Sequence, residues 1–218
     1  SMNSPRAIAK IIQSQVTSDG AGVKLRRSIG TQACSELDPF LLLDAFGTDN
    51  PDDYIAGFPS HPHRGFETVT YMIAGQMRHK DNTGAEGVLG PGGVQWMTAG
   101  RGIVHSEMPE QEDGELHGFQ LWVNLPAADK MCVPRYQNIE PADVPEIMTD
   151  QGARLRIIAG TAAGTDGPVT HISVDPLYVD VALTPGATHV QAVEAGHTCF
   201  AYVFEGSAAI GDKTVDVH

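Results

Sequence analysis

In Phe58-Pro59-Ser60-His61-Pro62-His63-Arg64-Gly65-Phe66-Glu67-Thr68-Val69-Thr70-Tyr71-Met72-Ile73, two histidines at period-2 spacing are followed by a glycine and a run of β-branched and aromatic residues. Thr68 to Ile73 predicts a strand, because Thr, Val, Tyr and Ile suit a pleated, half-buried surface and Ala74-Gly75 closes it. A strand through His61-Pro62-His63 would carry both imidazoles on one face, since successive side chains alternate.

Outward from this stretch the pattern repeats. Gly118-Phe119-Gln120-Leu121-Trp122-Val123-Asn124-Leu125 is closed by Pro126, and Leu155 to Ala159 and the strictly alternating Leu177 to Leu183 read the same way. With 24 Gly and 14 Pro punctuating short segments and clear helices scarce, the chain reads as all-β, a sandwich or barrel. Met131 to Gly152, holding Pro134, Pro141 and Pro145 among acidic residues, reads as a connector with at most one short helix. The expected domains are 1–134 and 135–218. Leu183 to Gln191 sits at a point of the second half equivalent to Phe58–Gly75, with the histidine pair reduced to His189-x-Gln191. Phe200 to Gly206 and Ala208 to Gly211 read as a hairpin entering a second barrel that is still open at His218, which predicts a natural chain longer than this one. Ser1 stands ahead of what reads as the native initiator, Met2.

The 14 Lys+Arg against 27 Asp+Glu give a formal net charge of −13, which repels phosphate backbones and argues against direct nucleic-acid binding. Lys24-Arg26-Arg27 is the one local basic cluster, and a solvated strand face accounts for it. No stretch has the roughly 18 apolar residues of a membrane span, and the N-terminus lacks a secretory core. Cys34, Cys132 and Cys199 are odd in number, far apart and without CxxC spacing, so a reducing, cytoplasmic setting is expected, or a nuclear one in a eukaryote.

His105-Ser106-Glu107 repeats the period-2 spacing of His61-Pro62-His63. A lone histidine in a β protein is usually a satisfied core or surface residue, but two such pairs on facing strands could share one ion. Nitrogen donors with one carboxylate and no thiolate suit a catalytic iron-type centre better than a structural zinc, and four ligands on a six-coordinate ion leave two positions open. Glu67 shares parity with the first pair but would lie on the order of 13 Å from His63 along a straight strand, so Glu107 is the preferred carboxylate. Gly57, Pro59, Gly100 and Gly102 would allow close turns around the pocket, or are ordinary loop residues. Phe58 and Gln95-Trp96-Met97 could wall a flat ligand, although core packing is the plainer reading of each alone.

Phe58 to Val69, Gln95-Trp96-Met97-Thr98-Ala99-Gly100-Arg101-Gly102-Ile103-Val104-His105-Ser106-Glu107-Met108 and Gln120 to Leu125 together closely resemble the pirin family of the cupin superfamily. The resemblance is strong from Asp38 to Tyr136 and looser beyond. It implies two cupin barrels, the second metal-free, with the ion in the first held by His61, His63, His105 and Glu107, and with Phe58, Trp96, Met97 and Gln120 near the pocket. Pirin metals are usually iron; Fe(II) is expected, with Mn, Ni, Cu or Zn also compatible with the ligands. Some pirins oxidise flavonols such as quercetin with O₂ and release carbon monoxide, while others act as redox-sensitive transcriptional co-regulators or bind metabolic enzymes. The leading expectation is a quercetin 2,3-dioxygenase-type reaction on a small aromatic substrate and O₂, with Glu107 receiving the hydroxyl proton. The alternative is a redox-sensing regulatory protein that uses the same site to bind protein partners.

Overall fold

The computed structural model describes residues 6–35, 37–170, 174–211 and 213–217. Among them the regular secondary structure is almost entirely strand, with three one-turn 3₁₀ helices at Pro51–Asp53, Ala127–Asp129 and Pro141–Asp143. The first half forms β1 (Gln15–Asp19), β2 (Val23–Ile29), β3 (Phe40–Thr48), β4 (Phe58–His63), β5 (Phe66–Ala74), β6 (Met77–Asp81), β7 (Glu86–Leu89), β8 (Val94–Thr98), β9 (Ile103–Pro109), β10 (Leu116–Asn124) and β11 (Arg135–Ile139). The second half forms β12 (Glu146–Met148), β13 (Ala153–Ala159), β14 (Thr161–Ala162), β15 (Thr165–Asp166), β16 (Tyr178–Leu183), β17 (Ser207–Ile210) and β18 (Lys213–Asp216).

Two antiparallel sheets make the first barrel: seven strands in the order β1-β2-β3-β10-β5-β8-β11, and four in the order β4-β9-β6-β7. Alternation gives the larger sheet two unlike faces. Its outer face carries Leu43, Ala45, Val69, Tyr71, Val94, Trp96, Phe119 and Leu121, buried in one cluster with Val144, Ile158, Ala159 and Val169 of the following segment. This contact joins the halves, and Arg156 adds polar ties by donating to the Tyr71 hydroxyl at 2.9 Å and the Gly92 carbonyl at 3.0 Å.

The inner face is crossed by one rung made wholly of polar side chains. Gln15 opposes Arg27, Arg27 opposes Asp44, Asp44 opposes Gln120, Gln120 opposes Thr70, Thr70 opposes Gln95, and Gln95 opposes Asn138. The neighbouring inner rung, Leu42, Trp122, Thr68, Met97 and Tyr136, is mostly apolar. Gln15 and Asn138 at its ends are exposed, but the polar side chains between them need partners inside the barrel, so this rung marks the level of the site.

Two expectations are corrected, on the connector and on the hairpin. The connector 131–152 contains two strands, β11 and β12, besides its single helical turn. β11 forms the edge of the first half's larger sheet by pairing with β8. Phe200 to Gly206 is not a strand; the hairpin is β17–β18, and Phe200, Tyr202 and Phe204 pack on the outer-face cluster instead. Their alternation encodes burial of one side, whereas a strand also needs a neighbour for its backbone groups.

Candidate metal centre

The first histidine pair lies on β4 and the second pair on β9, which are hydrogen-bonded neighbours with His61 directly opposite His105. A register shift between Phe58 and His61 brings Phe58 opposite Glu107. Gly57, at φ 62°, permits the turn into β4, a left-handed conformation that other residues rarely adopt; a Cβ there would also crowd the Glu107 carbonyl oxygen at 3.0 Å.

The three imidazoles converge. One ring nitrogen from each of His61, His63 and His105 lies within 4.8 Å of the others. His61 and His105 bring their Nε2 atoms to 2.8 Å. His61 Nδ1 donates to the Pro59 carbonyl at 2.7 Å, a bond that fixes the tautomer and leaves Nε2 with its lone pair inward. Two nitrogens each about 2.0–2.1 Å from one ion sit on the order of 3 Å apart, so this separation suits a shared cation. Burial, and then the neighbouring His105 and His61 rings, push the His63 imidazole down to about 3; burial also lowers His105. Both rings therefore stay neutral and available as donors at physiological pH.

Glu107 is buried and lines the same cavity, but stands outside the 4.8 Å imidazole group. Gln120 donates to its two oxygens at 3.2 and 3.0 Å, and the Thr70 hydroxyl donates to Oε1 at 3.2 Å. Burial alone would push this carboxyl up; the adjoining His79 ring, His105 and the Gln120 amide outweigh it and hold the group well below the usual carboxylate range. Glu67 points the other way, into the outer-face contact, where Trp96 Nε1 and Thr98 Oγ1 donate to it at 2.9 and 2.6 Å.

A cavity of about 580 Å³ opens onto this centre. Phe46, Phe58, Phe66 and Trp122 give it aromatic walls, Gln120 lies inside, and Asp19 and Asp44 form a polar end. Arg27 joins those two carboxylates, donating to Asp44 at 2.7 and 2.8 Å and to Asp19 at 2.9 Å. Of the expected pocket residues, Phe58 and Gln120 line this cavity; Trp96 and Met97 do not. Trp96 is on the outer face of β8, and Met97, on the inner face, is sealed beneath Ala99, Ile103 and Tyr136. Adjacent residues of one strand cannot both face one pocket.

Sequence reasoning passed over Asp44, Phe46, Phe66, Trp122 and His79. Trp122 shares parity with Gln120 on β10, a signal that was available; the others come from register across strands. In the second half, His189 Nε2 lies 3.1 Å from Gln191 Oε1, both outside any strand and away from the cluster.

A family model described as Pirin matches residues 22–123. A pirin-like protein of Caulobacter vibrioides is 54% identical over 212 residues, spanning 97% of this chain and 77% of the relative. Human pirin is 44% identical over 211 residues, spanning 96% of this chain and 70% of its own. A crystal structure of a quercetin 2,3-dioxygenase from Acinetobacter baumannii superposes with a TM-score of 0.85 at 37% identity, covering 94% of this chain and 75% of that one. No described helix is long and apolar enough to cross a membrane.

Proposed function

The chain belongs to the pirin family, and from that premise we propose that it is a metal-dependent dioxygenase of the quercetin 2,3-dioxygenase type, acting on a flavonol or related enol. One observation carries this reading: three convergent imidazoles open onto an aromatic-walled cavity of about 580 Å³, within the size range of small-molecule sites.

In this reading His61, His63, His105 and Glu107 hold one divalent ion, with Fe(II) the first candidate and Mn, Ni, Cu and Zn compatible with the same donors. When bound, such an ion supplies Lewis acidity toward a deprotonated ring hydroxyl and a path for electrons from that ring to O₂. Phe58, Phe66 and Trp122 would hold a flat ring system by stacking and exclude water from it. Asp19 and Asp44 would accept hydrogen bonds from ring hydroxyls and repel carboxylate-bearing molecules, which favours neutral polyhydroxylated substrates. Glu107 would take the proton of the reacting hydroxyl. The bonds that hold this carboxyl ionised make it a weak base, so it would act only on a hydroxyl that binding to the ion has already acidified.

The test is reconstitution of metal-free protein with each ion, following flavonol absorbance, O₂ uptake and carbon monoxide release. One ion should support all three together, and Glu107→Ala should slow turnover by about 10²–10⁴-fold. No turnover with any ion, or turnover indifferent to Glu107→Ala, would overturn the reading.

A further inference from the structure

Glu107 is approached from two sides. The large cavity lies in front of it; behind it His79 on β6 stands directly opposite in the β6–β9 ladder, with Nδ1 3.5 Å from Glu107 Oε1. That is ion-pair distance, at the edge of hydrogen-bond reach. His79 is 5% exposed, and neither of its ring nitrogens has a hydrogen-bond partner. A buried polar atom without a partner is costly; Nδ1 has Glu107 within reach, and the other ring nitrogen calls for a partner that the chain does not supply.

His79 lines a second cavity, of about 140 Å³, together with Gln95 and Tyr136, and this cavity opens to solvent between the exposed Lys80, Glu86, Gly87 and Asn138. This volume admits several waters, each of which needs two to four polar partners. The Gln95 and Asn138 amides, joined at 3.1 Å, offer such partners, as does the Tyr136 hydroxyl that bonds Asp81. Gln95 and Asn138 are also the far end of the polar rung, whose middle members Gln120 and Thr70 hold Glu107 from the front. The rung therefore runs from one cavity to the other, with the carboxylate between them.

We propose that the second cavity is a hydrated compartment, separate from the substrate cavity, and that it makes His79 the positioning residue of Glu107. One ring nitrogen donates to the carboxylate, and the other bonds cavity water. The donated bond fixes one carboxylate oxygen so that the other can face the ion, and the water fixes the ring. This rests on the reading above that Glu107 is a metal ligand. Outer hydrogen-bond partners of that kind typically account for about 10–100-fold in metal affinity.

The experiment measures release of a bound divalent ion to a chelator from wild type, Glu107→Ala, His79→Phe, His79→Gln and Gly87→Leu. A high-resolution crystal structure of the wild type, with and without the ion, accompanies it. Gly87 opposes His79 in the β6–β7 ladder, so its Cβ would be on the same side as the His79 ring, and nothing lies within 4 Å of it. His79→Phe should release the ion about 10–100-fold faster, His79→Gln should recover part of that through its amide donor, and Gly87→Leu should displace the water and speed release to a lesser degree. Water within hydrogen-bond distance of His79 should appear in both wild-type structures. Release from folded His79→Phe at the wild-type rate, or a dry second cavity, would overturn the proposal. If His79→Phe does not fold, the cavity water and Gly87→Leu decide it. If Glu107→Ala releases the ion no faster than wild type, the ligand reading itself fails, while the water at His79 is still read from the metal-free crystal.

Discussion

Two glutamates, Glu107 and Glu67, are almost equally buried on opposite sides of the barrel wall, yet their carboxyls are driven in opposite directions. Glu107 faces inward among imidazoles and receives bonds from Gln120 and Thr70 on both oxygens. Burial is outweighed, and the group is held ionised. Glu67 faces outward into the contact between halves, where Trp96 and Thr98 both donate to Oε2 and Oε1 has no partner; there burial prevails and the carboxyl is pushed up. Burial creates the demand in both places, and the charge and number of the partners decide which becomes a site.

The largest expected difference between the two regions is in ion binding. His105→Ala should weaken it by more than the about 10–100-fold typical of losing an outer partner, because it removes one of three convergent nitrogens. Glu67→Ala should leave it unchanged. Calorimetric titration of both variants with a divalent ion checks this, and equal losses would mean that Glu67 reaches the site through the barrel wall.

The strands at Thr68 to Ile73 and Gly118 to Leu125, and the two pairs, were legible because period-2 spacing is local: His61-x-His63 and His105-x-Glu107 needed only neighbouring strands, and β4 and β9 provide them. That Glu67 would lie apart from the imidazoles was legible in outline from its distance along the strand, but not that Trp96 would be its partner. Trp96 and Met97 lie in a motif that resembles a known family, and resemblance marks a neighbourhood without saying which face of β8 points inward. His79 was illegible for a different reason. Nothing in Met77-Arg78-His79 distinguishes it until the β6–β9 register sets it opposite Glu107. The absence of a strand at Phe200 to Gly206 likewise depends on a backbone neighbour, which no local pattern encodes.

The pH dependence of stability in the metal-free protein should separate the two carboxyls next. The raised Glu67 value means that its contribution is present below the ordinary value of 4.5 and is lost as pH rises through its folded value. Glu67→Gln should therefore gain on wild type in thermal midpoint as pH rises from 4 to 8. Glu107 is lowered, so its contribution is present above 4.5 and is lost as pH falls. Glu107→Gln should be less stable than wild type at neutral pH, with the gap closing in acid. His63, pushed down to about 3, adds a loss of stability as pH falls from 6.5 toward 3; this background cancels for Glu67→Gln, whereas in Glu107→Gln it shifts, because that carboxylate acts on the His63 ring. Parallel curves for the two variants would break the contrast.

The smallest effects come from removing one hydroxyl beside each glutamate. Thr98→Val takes the 2.6 Å bond from Glu67 and Thr70→Val takes the 3.2 Å bond from Glu107, with little change of shape. Each should cost about 1 kcal/mol in denaturant unfolding, the usual net value of one hydrogen bond. Only the second should also slow flavonol turnover, because the Thr70 hydroxyl shares its one proton between Glu107 Oε1 at 3.2 Å and the Gln120 amide oxygen at 3.0 Å and so positions two cavity residues. Thr98 holds a carboxyl that faces the other half of the chain. Equal stability losses with unequal turnover would show that the inner and outer faces of one sheet carry separate duties, whereas turnover falling alike in both would show that the carboxyls are coupled through the strand they flank.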